Sequence, residues 1–168
     1  YRWGSGTSLF GTSPSLAVLK NSVPIVAYSQ RDTANSIPGK IYVKYATMFQ
    51  VDQFGFWDWQ WAQFGEALNK NPDNDAQFPS VKIGSDNRAV VAWQENNGTS
   101  WDIYVKRWNG SAWIQLRDAL DISPAANAQH PVVAIGTDNN PIAAWYEETA
   151  TTARVYVKRW DGSQWIQL

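Results

Sequence analysis

Apolar positions along this chain come in short runs with no helical spacing between them. Ala89-Val90-Val91-Ala92-Trp93 and Pro141-Ile142-Ala143-Ala144-Trp145 are nearly continuous, the pattern of strands buried on both faces. Ile103-Tyr104-Val105-Lys106-Arg107-Trp108 leads into Asn109-Gly110-Ser111-Ala112 and then Trp113-Ile114-Gln115-Leu116. Two apolar runs around Asn-Gly predict a β-hairpin, with positive φ at the turn centre, which Asn, Asp and Gly tolerate best. The same text returns as Val155-Tyr156-Val157-Lys158-Arg159-Trp160, Asp161-Gly162-Ser163-Gln164 and Trp165-Ile166-Gln167-Leu168.

The whole chain follows this repeat. Trp61, Trp113 and Trp165 stand 52 apart, as do Pro79 and Pro131, whereas Pro14 precedes Pro79 by 65. The excess of 13 divides into about three residues between the second and third strands of the first unit and about ten in its last hairpin, at residues 46–56. The predicted strands of that unit are Pro14 to Val18, Val23 to Tyr28, Lys40 to Tyr45 and Gln60 to Phe64. Residues 1–13 read as a lead-in or the remnant of a preceding unit. Residues 14–68 read as the first unit with its insertion, 69–120 as the second and 121–168 as the third.

Four short strands every 52 residues or so predict an all-β chain, a β-propeller of three four-stranded blades. Three blades do not close a ring, since propellers use about four to eight. The expected partners are therefore further blades of a longer chain, or identical chains that complete the ring.

Composition narrows the function classes. Eleven Trp, seven Tyr and six Phe are far more aromatic surface than a chain of this size usually carries, so many of these positions must be repeated core positions. Trp61, Trp93, Trp113, Trp145 and Trp165, with Tyr42, Tyr104 and Tyr156, occupy repeat-equivalent places and are expected to pack between blades. A net charge of −1 gives no electrostatic reason to expect nucleic acid as a partner. The absence of Cys removes disulfides, thiolate metal sites and a Cys nucleophile. No apolar run approaches the length that spans a bilayer, so membrane insertion is not expected.

The repeated Pro-Ser/Val-Val-x-Ile-Gly-x-Asp-Asn stretch, the Ala-Trp second strand and the Trp-Asn/Asp-Gly-Ser-x-Trp-Ile-Gln-Leu hairpin resemble repeats of bacterial extracellular β-propellers of the sialidase-like (BNR-like) kind. Through Trp108 to Trp113 they are also similar to repeats of fucose-binding propeller lectins. The resemblance covers nearly the whole chain. It implies a secreted or surface-displayed protein that serves adhesion, glycan binding or scaffolding. The sialidase Asp-box, Ser-x-Asp-x-Gly-x-Thr-Trp, does not occur in the hairpins here, and Ser85-Asp86 lies in a different turn.

Individual residues add candidates. His130 is the sole histidine, so His-based acid–base pairs and multi-His metal sites are out; its counterparts Phe78 and Ser13 mark it as a variable residue at a strand entrance. Asp73 with Asp75, Asp118 with Asp121, and Glu147 with Glu148 are carboxylate pairs by proximity, the chemistry a glycosidase needs. Arg107 and Arg159 are repeat-equivalent, which points to a structural role. Asn71-Pro72-Asp73-Asn74-Asp75 carries oxygen ligands of the type Ca²⁺ takes, without the spacing of an EF-hand, and reads as a solvated loop; no cofactor is expected. Asn97-Gly98-Thr99 and Asn109-Gly110-Ser111 match the N-glycosylation pattern but read as turns. Phe54 and Phe56 in the insertion, Trp57 and Trp59 directly after it, and Trp101 break the repeat, as aromatic residues that contact a ligand or partner would. Asp73, Asp75, Asn127 and His130 lie in or beside the loops between the fourth strand of one blade and the first of the next. Those loops, with the ones between second and third strands, are expected to gather on one ligand-binding face.

The function expected from the sequence is a non-catalytic extracellular propeller module that binds a glycan or surface protein, or builds a surface assembly. The alternatives are a fragment of a sialidase-like glycoside hydrolase and a purely structural self-associating scaffold.

Overall fold

The computed structural model describes residues 9–50, 54–55 and 57–168. Residues 1–8 of the expected lead-in and Phe56 lie outside the described residues, as do the side chains of Leu9, Phe10 and Trp57. Among the described residues twelve strands form three four-stranded antiparallel sheets, each in simple sequence order. The first sheet holds β1 (Leu9–Val18), β2 (Pro24–Asp32), β3 (Ile37–Gln50) and β4 (Trp57–Gln63). The second holds β5 (Ala76–Ile83), β6 (Ala89–Asn96), β7 (Trp101–Trp108) and β8 (Trp113–Gln115). The third holds β9 (Asn127–Ile135), β10 (Pro141–Glu148), β11 (Ala153–Trp160) and β12 (Trp165–Gln167). Among the described residues no helix is long and apolar enough to cross a membrane.

Two apolar seams hold the sheets together as successive blades. Ile25, Ala27, Ile41 and Val43 of blade 1 pack on Val81, Val91 and Trp93 of blade 2. Val90, Ala92, Ile103 and Val105 from the other face of blade 2 pack on Val133, Ala143 and Trp145 of blade 3. Side chains alternate across a strand, so a blade buried on both sides needs apolar residues at successive positions. That is why Ala89 to Trp93 reads as a continuous apolar run.

Polar links repeat at each seam. Ser15 Oγ accepts from Val81 N at 3.0 Å, and Ser80 Oγ from Val133 N at 3.1 Å. These bonds bring the first strands of neighbouring blades side by side, which makes them the inner edge of the array. At the outer edge Trp113 Nε1 donates to the Phe64 carbonyl and Trp165 Nε1 to the Leu116 carbonyl. Arg107 and Arg159 pair with Asp86 and Asp138 of the turns between first and second strands, at 2.5 and 2.6 Å. This is the structural role their repeat equivalence predicts.

Three local features differ from the sequence reading. First strands start well before the prolines: Ser13, Phe78 and His130 stand at φ 52°, 50° and 50°, and the pairing with the second strand shifts register there. Each is a β-bulge one residue ahead of Pro14, Pro79 or Pro131, and the strand continues on its far side. β3 runs past Tyr45 into residues 46–50 of the insertion and β4 starts at Trp57, ahead of Gln60, so the two strands pair from Lys44–Gln63 out to Gln50–Trp57. The Asn-Gly hairpin loop has four residues, and only Gly110 takes positive φ. Asn109 instead accepts from Ser111 N and Ala112 N through Oδ1, both at 2.9 Å, an Asx turn.

Candidate functional site

The antiparallel order puts the starts of first and third strands, the ends of second strands and the loops between blades at one end of the sheets. Contacts across the seams confirm that these segments meet. Ser29 Oγ donates to the Ala76 carbonyl at 2.7 Å, and Ser100 Oγ to the Pro124 carbonyl at 3.1 Å. This is the loop face that the sequence anticipates. The lengthened β3–β4 hairpin points the opposite way.

At the inner edge of the loop face the bulges gather a cluster that crosses both seams. Phe78 and His130, one from each neighbouring first strand, lie ring to ring with centroids 4.2 Å apart. His130 in turn stacks on Tyr146 at 5.7 Å and 13°. Positive φ at a bulky residue is uncommon, and it re-aims these side chains out of the alternation of the strand. Gln94 Oε1 fixes the bulge by accepting from His130 N at 2.9 Å. On the blade 1 side Asp75 accepts from Gly39 N at 2.6 Å and Gln77 Nε2 at 2.7 Å, and it forms an ion pair with Arg31. Gly39 is required there, since a Cβ would lie 2.7 Å from both the Ala76 carbonyl and Asp75 Oδ1.

Behind this edge lies a seam of buried acids. Glu95 accepts from Lys70 N, Asn71 N and Trp93 Nε1, and Glu147 does the same for Ile122 N, Ser123 N and Trp145 Nε1. These carboxylates anchor the incoming loop of their own blade. Each satisfies three donors that burial would otherwise leave unpaired. Lys106 and Lys158 sit 5.7 Å from the ring centroids of Trp93 and Trp145. Burial lowers the pKa of both lysines.

Asp121 is the exception in this seam. It stands where Asn69 accepts from Ile41 N and donates to the carbonyls of Gly39 and Asn74. Asp121 Oδ1 is buried without a partner. Burial, then the negative charge of Asp102, pushes its pKa up to about 6. Beside it, Ser123, Glu147, Thr149, Thr152, Arg154 and Tyr156 line an open cleft of about 250 Å³.

The candidates named from sequence separate in space. Asp75 and His130 belong to the inner-edge cluster. Asp73 is exposed on the preceding loop, where its N–H donates to Asn71 Oδ1. Asn127 Oδ1 accepts from Trp101 N at 3.2 Å across the seam of blades 2 and 3. Phe54, 77% exposed, and Trp59, 55% exposed, belong to the hairpin on the far side. Trp93 and Trp145 are buried in the seams, Trp113 and Trp165 are partly buried at the outer edge, and Trp61 is 41% exposed. Tyr42, Tyr104 and Tyr156 pair with Tyr28, Trp93 and Trp145 at 6.0 Å. No group of three or more His, Asp or Glu among the described residues could hold a metal ion. Sequence reasoning missed Phe78, Tyr146 and Arg31. The available signal was that Phe78 and His130 precede repeat-equivalent prolines.

No family model and no curated protein matches the chain. Solved structures do. A family 117 glycoside hydrolase from the marine bacterium Zobellia galactanivorans superposes with TM-score 0.67 at 12% identity, over 100% of this chain and 58% of that one. A protein of unknown function from Dyadobacter fermentans gives 0.65 at 13%, over 96% and 55%. An endo-arabinase from Bacteroides thetaiotaomicron gives 0.55 at 15%, over 92% and 57%. The fold is a β-propeller. The chain spans between half and three-fifths of the length of these neighbours, and its three blades leave the ring open.

Proposed function

We propose that this chain is the glycan-binding part of an extracellular β-propeller, without catalytic activity of its own. The observation that carries this reading is the row of Phe78, His130 and Tyr146 across the seam of blades 2 and 3, with Asp75, Arg31 and Gln77 beside it. An aromatic row offers an apolar surface to the C–H face of a sugar ring. Carboxamide, carboxylate and guanidinium groups alongside it suit the hydroxyls. A non-catalytic role is supported by the state of three carboxylates near this edge. Glu95 and Glu147 are saturated by backbone and indole donors, and Asp75 is paired with Arg31, so none of the three is available as the acid or base of a hydrolytic pair.

A second reading has a specific observation in its favour. Two of the structural neighbours described above are, by their descriptions, a glycoside hydrolase and an endo-arabinase. On that reading these blades carry part of a hydrolase site and further blades supply the acid and base.

A glycan array probed with the purified chain tests the first reading. Retention of a glycan by the wild type should fall at least about tenfold in Phe78→Ala and His130→Ala, the loss of a central contact. Trp59→Ala should leave it unchanged. Failure to retain any glycan at millimolar concentration removes the binding reading, and release of reducing ends from a retained polysaccharide replaces it with the hydrolase.

A further inference from the structure

Each internal seam joins the outer face of one blade to the inner face of the next, and among the described residues one copy of each face has no blade against it. The outer face of blade 2 is buried through Val90, Ala92, Ile103, Val105 and Leu116. Its counterparts on blade 3 are Ile142, Ala144, Val155, Val157 and Leu168. Val155 is 75% exposed where Ile103 is fully buried, and Leu168 is 71% exposed where Leu116 is 8%. The inner face of blade 1 mirrors this. Leu16 is 61% exposed, whereas its counterparts Val81 and Val133 are 0% and 3%. A continuous apolar sheet face of this kind needs a cover.

We infer that the outer face of blade 3 docks on the inner face of blade 1 of a second copy of this chain, head to tail, so that two copies close a six-bladed ring. The contact does not depend on glycan binding. It rests on continuity with the two internal seams, whose chemistry the contact reproduces. Ile142, Ala144, Val155 and Val157 meet the surface that contains Leu16 and Val18. Trp61 of the second copy comes to the Leu168 carbonyl, the place that Trp113 and Trp165 take at Phe64 and Leu116. The contact is heterologous, and with three blades a side it closes within the range of propeller rings. One internal link is absent. Val132 stands where Ser15 and Ser80 accept from the next blade, so the contact between copies is more apolar than the internal seams.

Sedimentation of the purified chain across micromolar concentrations tests this, with circular dichroism to establish that each variant is folded. The wild type should sediment at twice 18.9 kDa. Val155→Asp and Leu16→Asp, both at exposed positions, should each give monomers. Mixed together they should pair again, because the first variant keeps an intact inner face and the second an intact outer one. Val132→Ser, which restores the acceptor, should tighten association about fivefold, the worth of one hydrogen bond. A wild-type monomer throughout, a ladder of growing oligomers, or a mixture that fails to pair overturns the inference.

Discussion

Trp165 Nε1 donates to the Leu116 carbonyl at 2.8 Å, and Trp113 Nε1 donates to the Phe64 carbonyl at 2.7 Å. One indole per seam thus pins the outer edge of a blade to the main chain of its predecessor. Trp165→Phe keeps much of the apolar surface and removes only the donor. It should cost about 1 kcal/mol in urea unfolding, and Trp113→Phe should match it because the two sites are equivalent.

Glu147 carries a larger load. Removing its carboxylate leaves Ile122 N, Ser123 N and Trp145 Nε1 without an acceptor. Glu147→Ala should destabilise the chain by about 2–4 kcal/mol, and Glu95→Ala by a similar amount. Glu147→Gln should lie between, since one of the two accepting oxygens becomes an amide NH2, which donates and cannot accept. Equilibrium unfolding of the three variants provides the comparison.

Asp121 supplies a pH test with a defined sign. Its folded pKa, pushed up to about 6 by burial and then by Asp102, lies above the value near 4 expected of an unfolded Asp. Between those values the folded state binds more protons than the unfolded one, so stability rises as pH falls through the window. The cost of the charge is fully present above about pH 6 and is relieved towards pH 4. Asp121→Asn, which copies Asn69, should therefore be more stable than wild type at pH 7 by about 1–2 kcal/mol, allowing for partial exposure. Thermal unfolding at pH 7 and pH 4 should show the advantage shrink to near zero.

Gly39 fixes the blade 1 side of the loop face. A Cβ there meets the Ala76 carbonyl and Asp75 Oδ1 at 2.7 Å, and the first of these is backbone that cannot swing away. Gly39→Ala should cost about 1–3 kcal/mol through that overlap. The same substitution should weaken glycan retention, because Asp75 must move and Arg31 with it.

Much of the architecture was open to reading because it is written twice. The hairpins at Tyr104 and Tyr156, the 52-residue spacing of Trp113 and Trp165, and the continuous run Ala89 to Trp93 each follow from local pattern. The inner-edge cluster is different. A residue before proline normally stays extended, so nothing local announces that Phe78 and His130 adopt positive φ and turn their rings towards one another across a seam. Glu147 with Glu148 looks like an acidic pair, but successive residues of a strand point to opposite faces, and here one is buried and the other exposed. The recurrence of Glu95 and Glu147 at the 52-residue spacing was the usable signal for their structural role. The length of the insertion does not announce that residues 46–50 extend β3 and its pairing with β4.

In the proposed function, ligand recognition belongs to the inner edge of the loop face and not to the aromatic hairpin beneath it. An amide NMR titration with a glycan retained on the array tests this most directly. The shifted resonances should cluster at Phe78, His130, Tyr146 and Asp75 while Trp59 and Phe54 stay in place. Shifts confined to Trp59 and Phe54 would contradict it and move the site to the opposite face.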